Sequence, residues 1–232
     1  MIYTDFSQIP RRHYNVVEAD PAWHHKSYSV KGQRRSPSRY YKTMTLEEIC
    51  ALPVKEIAHK NCHLMLWTTQ PHLQQSFDVL RAWGFKYSSC YIFWLKLNPK
   101  SADVIWMRAS DFHTGMGFTT RKNVEIVLLG RRGSPKRLAK NLPDYLIAAR
   151  RQHSRKPDAF YDHVRQYAAG PRISLFTRET REGFDSWGDE ADKFDKKATG
   201  RISPNLKPLV GDYMFGPPWP WPTVPLLEPT PV

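Results

Sequence analysis

The sequence predicts an α/β protein built on a mostly parallel sheet with helices on both faces. Three observations carry that reading. Apolar runs of strand length recur at 14–19, 63–68, 87–95, 124–129 and 172–176. Segments between them open on a capping residue or a proline and carry apolar residues at helical spacing. Alternation of such strands and helices is the pattern of a sheet buried on both sides, which binds its ligands beyond the carboxyl ends of its strands.

The first strand, Tyr14 to Ala19, runs directly into Asp20-Pro21-Ala22-Trp23. A polar, basic stretch from His24 to Lys42 follows, with Gly32 and Pro37 as breakers, and reads as a long loop beside that strand end. Thr45-Leu46-Glu47-Glu48 forms a capping box that starts a short helix ending before Pro53. His63 to Thr68 is a buried strand. Pro71 opens a helix with Leu73, Phe77, Leu80 and Trp83 on its core face, closed by Gly84. Tyr87–Leu95 and Val124–Leu129 are strands, separated by an irregular span from Asn98 to Thr120. Pro157 opens a second helix, with Phe160, Tyr161, Val164 and Tyr167 inward and Gly170 beyond its end, and Arg172 to Phe176 is the last strand. From Ser203 the chain is rich in proline, so residues 196–232 read as an extended or disordered tail after a single domain at 1–195.

Composition narrows the function. With 232 residues and 41% hydrophobic content, the chain buries one good core. Its formal charge of +13 favours a polyanionic partner, nucleic acid first. Three widely spaced cysteines suggest neither a disulfide framework nor a zinc site and fit a reducing, cytoplasmic setting; no metal is expected. No apolar run is long enough to span a bilayer, so a soluble protein is expected, with no membrane partner.

Asp20-Pro21-Ala22-Trp23 suits one chemistry. The exocyclic amine of adenine or cytosine is a poor nucleophile, because its lone pair is delocalised into the ring. Asp20 would accept one amine hydrogen, the rigidly aimed carbonyl of Pro21 the other, and Trp23 would stack on the base. The same tetrapeptide also serves as an ordinary turn ending in a core tryptophan. Basic residues on the adjoining loop, Lys26, Arg34, Arg35 and Arg39, together with His24, are candidate phosphate contacts.

Several blocks taken together resemble a known family. Ala19-Asp20-Pro21-Ala22-Trp23, Tyr41-Lys42-Thr43-Met44, Leu66-Trp67-Thr68-Thr69, Trp94-Leu95-Lys96 and His153-Ser154-Arg155-Lys156-Pro157-Asp158 occur in order. Leu175-Phe176-Thr177-Arg178 and Trp187-Gly188-Asp189-Glu190 close the series. This is similar to the N-6-adenine methyltransferases that include the catalytic subunit of the messenger-RNA adenosine methyltransferase and bacterial and phage DNA enzymes. The resemblance implies a Rossmann-like class I S-adenosylmethionine-dependent methyltransferase of permuted order, in which the Asp20 strand comes first and the cofactor strand last.

The resemblance further implies a site residue by residue. Asp20, Pro21, Ala22 and Trp23, with Tyr41, would form the catalytic pocket. Asp20, Lys96, Phe176, Arg178, Gly188, Asp189 and Glu190 would bind the cofactor, S-adenosylmethionine, with Arg178 and Glu190 on the ribose. The implied reaction is N-6 methylation of adenine in DNA. An RNA adenine methyltransferase, a cytosine amino-methyltransferase, and a catalytically silent nucleic-acid-binding homologue or partner subunit remain alternatives. Three positions depart from the family pattern: Ala22 replaces a second proline, Asp189 stands where asparagine is usual, and Ser174 stands where an acidic residue is common.

Overall fold

The computed structural model describes residues 1–24, 43–101, 108–115, 117, 119–151 and 155–195. The chain divides into two units, Met1–Thr199 and Gly200–Val232, and the described residues all belong to the first.

Eight strands form one sheet in the order β1-β8-β7-β2-β3-β5-β4-β6. They are β1 (Ile2–Tyr3), β2 (Tyr14–Ala19), β3 (Ala58–Thr68), β4 (Lys86–Leu97), β5 (Glu125–Arg132), β6 (Tyr145–Ala149), β7 (Arg172–Leu175) and β8 (Asp185–Trp187). All neighbours run parallel except where β5 inserts antiparallel between β3 and β4. The α-helices are α1 (Leu46–Ala51), α2 (Val54–Ile57), α3 (Leu73–Ala82) and α4 (Asp158–Tyr167).

Strand alternation sorts the core into two layers. Val17, Ala19, Leu64, Leu66, Leu128 and Ile173 point to one face, where α1, α2 and α3 bring Ile49, Ile57, Val79 and Leu80. Val16, Met65, Trp67, Ile92 and Val127 point to the other, where α4 supplies Phe160, Tyr161, Val164 and Tyr167. These four inward positions are those that the helical spacing assigned. Thr45 caps α1, accepting from the Glu48 amide while the Glu48 carboxylate accepts from the Thr45 amide.

Several elements differ from expectation. Strands β3, β4 and β5 run longer than the apolar runs that mark them, because residues flanking those runs pair as well, among them Ala58, Cys62, Lys86, Gly130, Arg131 and Arg132. The Asp20 strand is second in chain order, since the two-residue β1 precedes it and pairs with β8 at the sheet edge. The edge strand β6, with its half-exposed residues, and the four-residue α2 carry too little periodicity to stand out in sequence. No helix among the described residues is long and apolar enough to cross a membrane.

Candidate active site

Strand β2 lies between β3 and β7, parallel to both, so its carboxyl end opens at the middle of the sheet. Asp20 is the first residue beyond that end, its amide donating to the Leu175 carbonyl at 3.4 Å. Its carboxylate is about one-fifth exposed and lies 3.0 Å from Lys156 Nζ. Lys156 in turn reaches Glu125 at 2.8 Å, and Glu125 reaches Lys96 at 2.5 Å. Lys156 Nζ also sits 4.5 Å above the Trp67 ring. A line of alternating charge therefore joins the ends of β2, β5 and β4 to the segment that enters α4.

Burial raises the Asp20 carboxyl above its ordinary range, and Glu125 adds to that, against the opposing pull of Lys156. Burial pushes Glu125 the same way, but Lys156 and Lys96 outweigh it and hold that carboxyl at about 2. Burial would neutralise Lys156, yet Asp20 and Glu125 keep it charged well above the usual lysine range. Among the described residues no group of three or more His, Cys, Asp or Glu side chains converges as a metal site would require.

The residues after Asp20 form a tight turn. The Trp23 amide donates to the Pro21 carbonyl at 2.8 Å, and the Met44 amide donates to the Ala22 carbonyl at 2.9 Å. Trp23 is 5% exposed; its Nε1 donates to the Trp67 carbonyl at 3.2 Å, and its ring stacks on His72 at 5.3 Å. One indole face is thus occupied by the protein itself, so a base would have to use the other. His24 is exposed, with Nδ1 3.1 Å from Thr43 Oγ1. Tyr41, Lys26, Arg34, Arg35 and Arg39 lie outside the described residues.

Beyond β7 the chain builds the second wall. Phe176 adopts a left-handed backbone, φ 61°, which turns the chain sharply at the strand end. Arg178 pairs with Glu190 at 2.5 Å, and Lys193 bonds the same carboxylate. Gly188 is required by close approach: a Cβ there would meet the Thr177 carbonyl oxygen at 2.6 Å. Asp189 is exposed. Glu18, Asp20, Lys156, Ser174, Phe176 and Arg178 all line one cleft. Lys96 joins it through Glu125.

Sequence reasoning had not singled out Lys156, Glu125 or Glu18. Lys156 lies just before the proline that opens α4, and a lysine in a strand-to-helix turn of an α/β sheet is a usable signal. Glu18 is a carboxylate at an inward position of a central strand. It is register partner to Ser174 on β7, whose hydroxyl donates to it. Ser174 therefore serves as donor to an acidic group carried by the neighbouring strand. Burial pushes Glu18 up to about 7 in spite of that bond, and Asp20 adds in the same direction.

The MT-A70 family profile matches residues 14–190. The chain belongs to the MT-A70 family. Its Rossmann-like, mostly parallel sheet agrees with the methyltransferase fold of that family. Among MT-A70 relatives, the type II methyltransferase M.MunI of Mycoplasma sp is 30% identical over 222 residues, covering 86% of this chain and 88% of that protein. The N(6)-adenine-specific methyltransferase METTL4 of Mus musculus is 23% identical, over 78% of this chain and 38% of its own length. The N(6)-adenosine-methyltransferase catalytic subunit METTL3 of Homo sapiens is 27% identical, over 76% of this chain and 27% of its own length. The chain thus spans nearly the whole of the first and well under half of the other two.

MT-A70 methyltransferases use S-adenosylmethionine as methyl donor. The donor set of the cleft fits that group: it presents carboxylates and cations together with the Phe176 ring, as a ligand bearing an ammonium, a carboxylate, a sulfonium and an aromatic base requires.

Proposed function

We propose that this MT-A70 chain transfers a methyl group from S-adenosylmethionine to N-6 of adenine in DNA. The observation that carries the reading is Asp20 at the carboxyl end of β2, held against Lys156 and facing the cleft that Phe176 and Arg178 also line. When bound, the cofactor supplies an electrophilic methyl group on sulfur. The protein's own residues do the rest by positioning and electrostatics.

Lys156 favours the ionised form of Asp20 against its burial, so that the carboxylate accepts one hydrogen of the target amine. The Pro21 carbonyl already takes the Trp23 amide and has a second lone pair for the other hydrogen. Lys96, Phe176, Arg178, Gly188, Asp189 and Glu190, joined by Lys156, form the cofactor side. The target base leaves its stack to enter the pocket, which Trp23 flanks; a stacking role for Tyr41 rests on the family resemblance alone. Phosphate contacts fall to His24, Lys26, Arg34, Arg35 and Arg39.

DNA is favoured over RNA because the chain matches a compact type II methyltransferase over nearly its entire length, whereas it matches the adenosine enzyme over about a quarter. We read residues 1–195 as the methyltransferase domain; the tail assigned to 196–232 lies outside the described residues. The three cysteines are free thiols, which supports a reducing, cytoplasmic setting.

The test is mass analysis of nucleosides from DNA and from RNA after incubation with labelled cofactor. N-6-methyladenine in DNA is the expected product. Asp20→Ala should abolish transfer while leaving cofactor affinity within a few-fold; full activity in that variant would remove Asp20 from the site.

A further inference from the structure

A second cavity, of about 320 Å³, opens on the α4 face of the sheet at the end away from Asp20. Among its walls are His63 of β3, Arg131 of β5, Arg137 and Lys140 of the following loop, and His163 and Tyr167 of α4. His63 pairs in register with Val16, four residues before Asp20, which puts it about 13 Å back along the sheet at ~3.3 Å per residue. The catalytic cleft adjoins the start of α4 and this cavity its end.

The two ends differ in how their cations are satisfied. At the catalytic end Lys96, Lys156, Arg155, Arg178 and Arg181 all pair with carboxylates. Arg131, Arg137 and Lys140 are exposed and make no side-chain hydrogen bond or ion pair among the described residues. Asp144 is the one carboxylate on the cavity wall, against those three cations.

The site is also built. The loop that carries Arg137 and Lys140 is pinned by its backbone, Ser134 N–H to Asn61 Oδ1 at 3.0 Å and Leu138 N–H to the Tyr167 carbonyl at 2.8 Å. Gly133 makes the first anchor possible: its φ is +62°, and a Cβ there would collide with Asn61 and the Lys60 carbonyl. His63 is 1% exposed, and neither ring nitrogen meets a partner in hydrogen-bonding geometry. A buried polar group left in that state costs free energy that a ligand can recover. Burial brings His63 down to about 4, opposed by the Lys136 backbone and aided to a smaller extent by Arg131 and Arg137. At neutral pH its ring is therefore uncharged and carries one N–H, which the nearby Lys136 backbone does not engage in hydrogen-bonding geometry.

We propose that this cavity is a second, non-catalytic binding site for a phosphate group, held by Arg131, Arg137 and Lys140 with His63 donating from the floor. Its expected source is a nucleotide flanking the target in the nucleic-acid substrate, and for that source alone it rests on the function proposed above. A free nucleotide carries the same chemistry.

The test uses the full chain and the variant Arg131→Ala/Arg137→Ala/Lys140→Ala. Three probes are titrated: inorganic phosphate, adenosine monophosphate and a short single-stranded oligonucleotide. Loss of about tenfold or more in oligonucleotide affinity, with a salt dependence flatter by up to ~0.7 per charge removed, assigns the site to the strand. Loss of adenosine monophosphate binding with the oligonucleotide unaffected assigns it to a free nucleotide. Equal binding of all three probes by variant and wild type overturns the proposal. In the wild type, phosphate should shift the His63 imidazole resonances, and no shift at saturating phosphate likewise overturns it. Neither measurement depends on methyl transfer, so the site and the proposed activity stand or fall separately.

Discussion

Lys156 and Asp20 meet at 3.0 Å where β2 ends and the segment leading into α4 begins, and the same ammonium bonds Glu125 at 2.8 Å. A single cation thus offers the largest opposition to the burial that raises the carboxyl proposed to receive the target amine. Lys156→Met should leave Asp20 without its nearest countercharge, raising further a carboxyl that burial already raises. The ionised, accepting form would then persist only at higher pH. The acidic limb of the pH–rate profile should move upward, with kcat reduced at neutral pH. Losing one partner of a buried pair should also cost about 3–5 kcal/mol, read as a fall in melting temperature. A profile superimposable on wild type would show that Lys156 does not set the charge of Asp20.

Glu18 gives a stability signature of its own. Its folded-state pKa, about 7, lies above the ordinary 4.5, so the folded chain holds this proton more tightly than the unfolded chain does. Its contribution is fully present below pH 4.5 and is lost as pH rises through 7. At about 1.4 kcal/mol per pH unit the loss is roughly 3 kcal/mol. His63 acts oppositely: its pKa is lowered from 6.5 to about 4, so stability falls as pH drops across that interval. The wild-type curve mixes both, whereas its difference from Glu18→Gln isolates Glu18. Urea melts should show the variant near wild type at pH 4.5 and clearly more stable at pH 8. A constant difference across that range would mean that Glu18 titrates normally.

Most of this architecture was readable because it rests on periodicity. Phe160, Tyr161, Val164 and Tyr167 face inward as their spacing requires, and the Thr45–Glu48 capping box forms as written. Apolar runs do not encode direction, so the antiparallel course of β5 was hidden; β3 and β4 flank it on both sides and fix it only in three dimensions. At the site, Asp20 was legible as a residue beyond a strand. Its partners Lys156 and Glu125 were not, because a pair separated by 31 positions leaves no local pattern. His63, Arg131 and Lys140 meet for the same reason, through strand register and a pinned loop.

Arg178 and Glu190 pair at 2.5 Å on the wall beyond β7, and the family resemblance gives both a ribose contact. Arg178→Ala would remove a charged donor and leave Glu190 with Lys193. A hydrogen bond involving a charged group contributes about 1.5–3 kcal/mol, so cofactor affinity should fall by ~10-fold to ~150-fold. Calorimetric titration with S-adenosylmethionine measures this directly. An unchanged dissociation constant would exclude Arg178 from the cofactor site.

The last prediction separates two basic regions. Changing Lys26, Arg34, Arg35 and Arg39 together to Ala should weaken DNA binding and flatten the log–log salt dependence on duplex by ~0.9 for each phosphate no longer neutralised. Sequence preference should barely change, because phosphate contacts position a strand without reading its bases. The Arg131, Arg137 and Lys140 cluster, the anion site proposed above, lines a separate cavity at the far end of α4. Combining the two sets of substitutions should therefore add their slope changes, as independent sites do. Plots for the four-residue variant that run parallel to wild type would remove 26–39 as a phosphate clamp. The salt dependence of the chain, whose formal charge is +13, would then have to arise elsewhere, with the 131–140 region the first place to look.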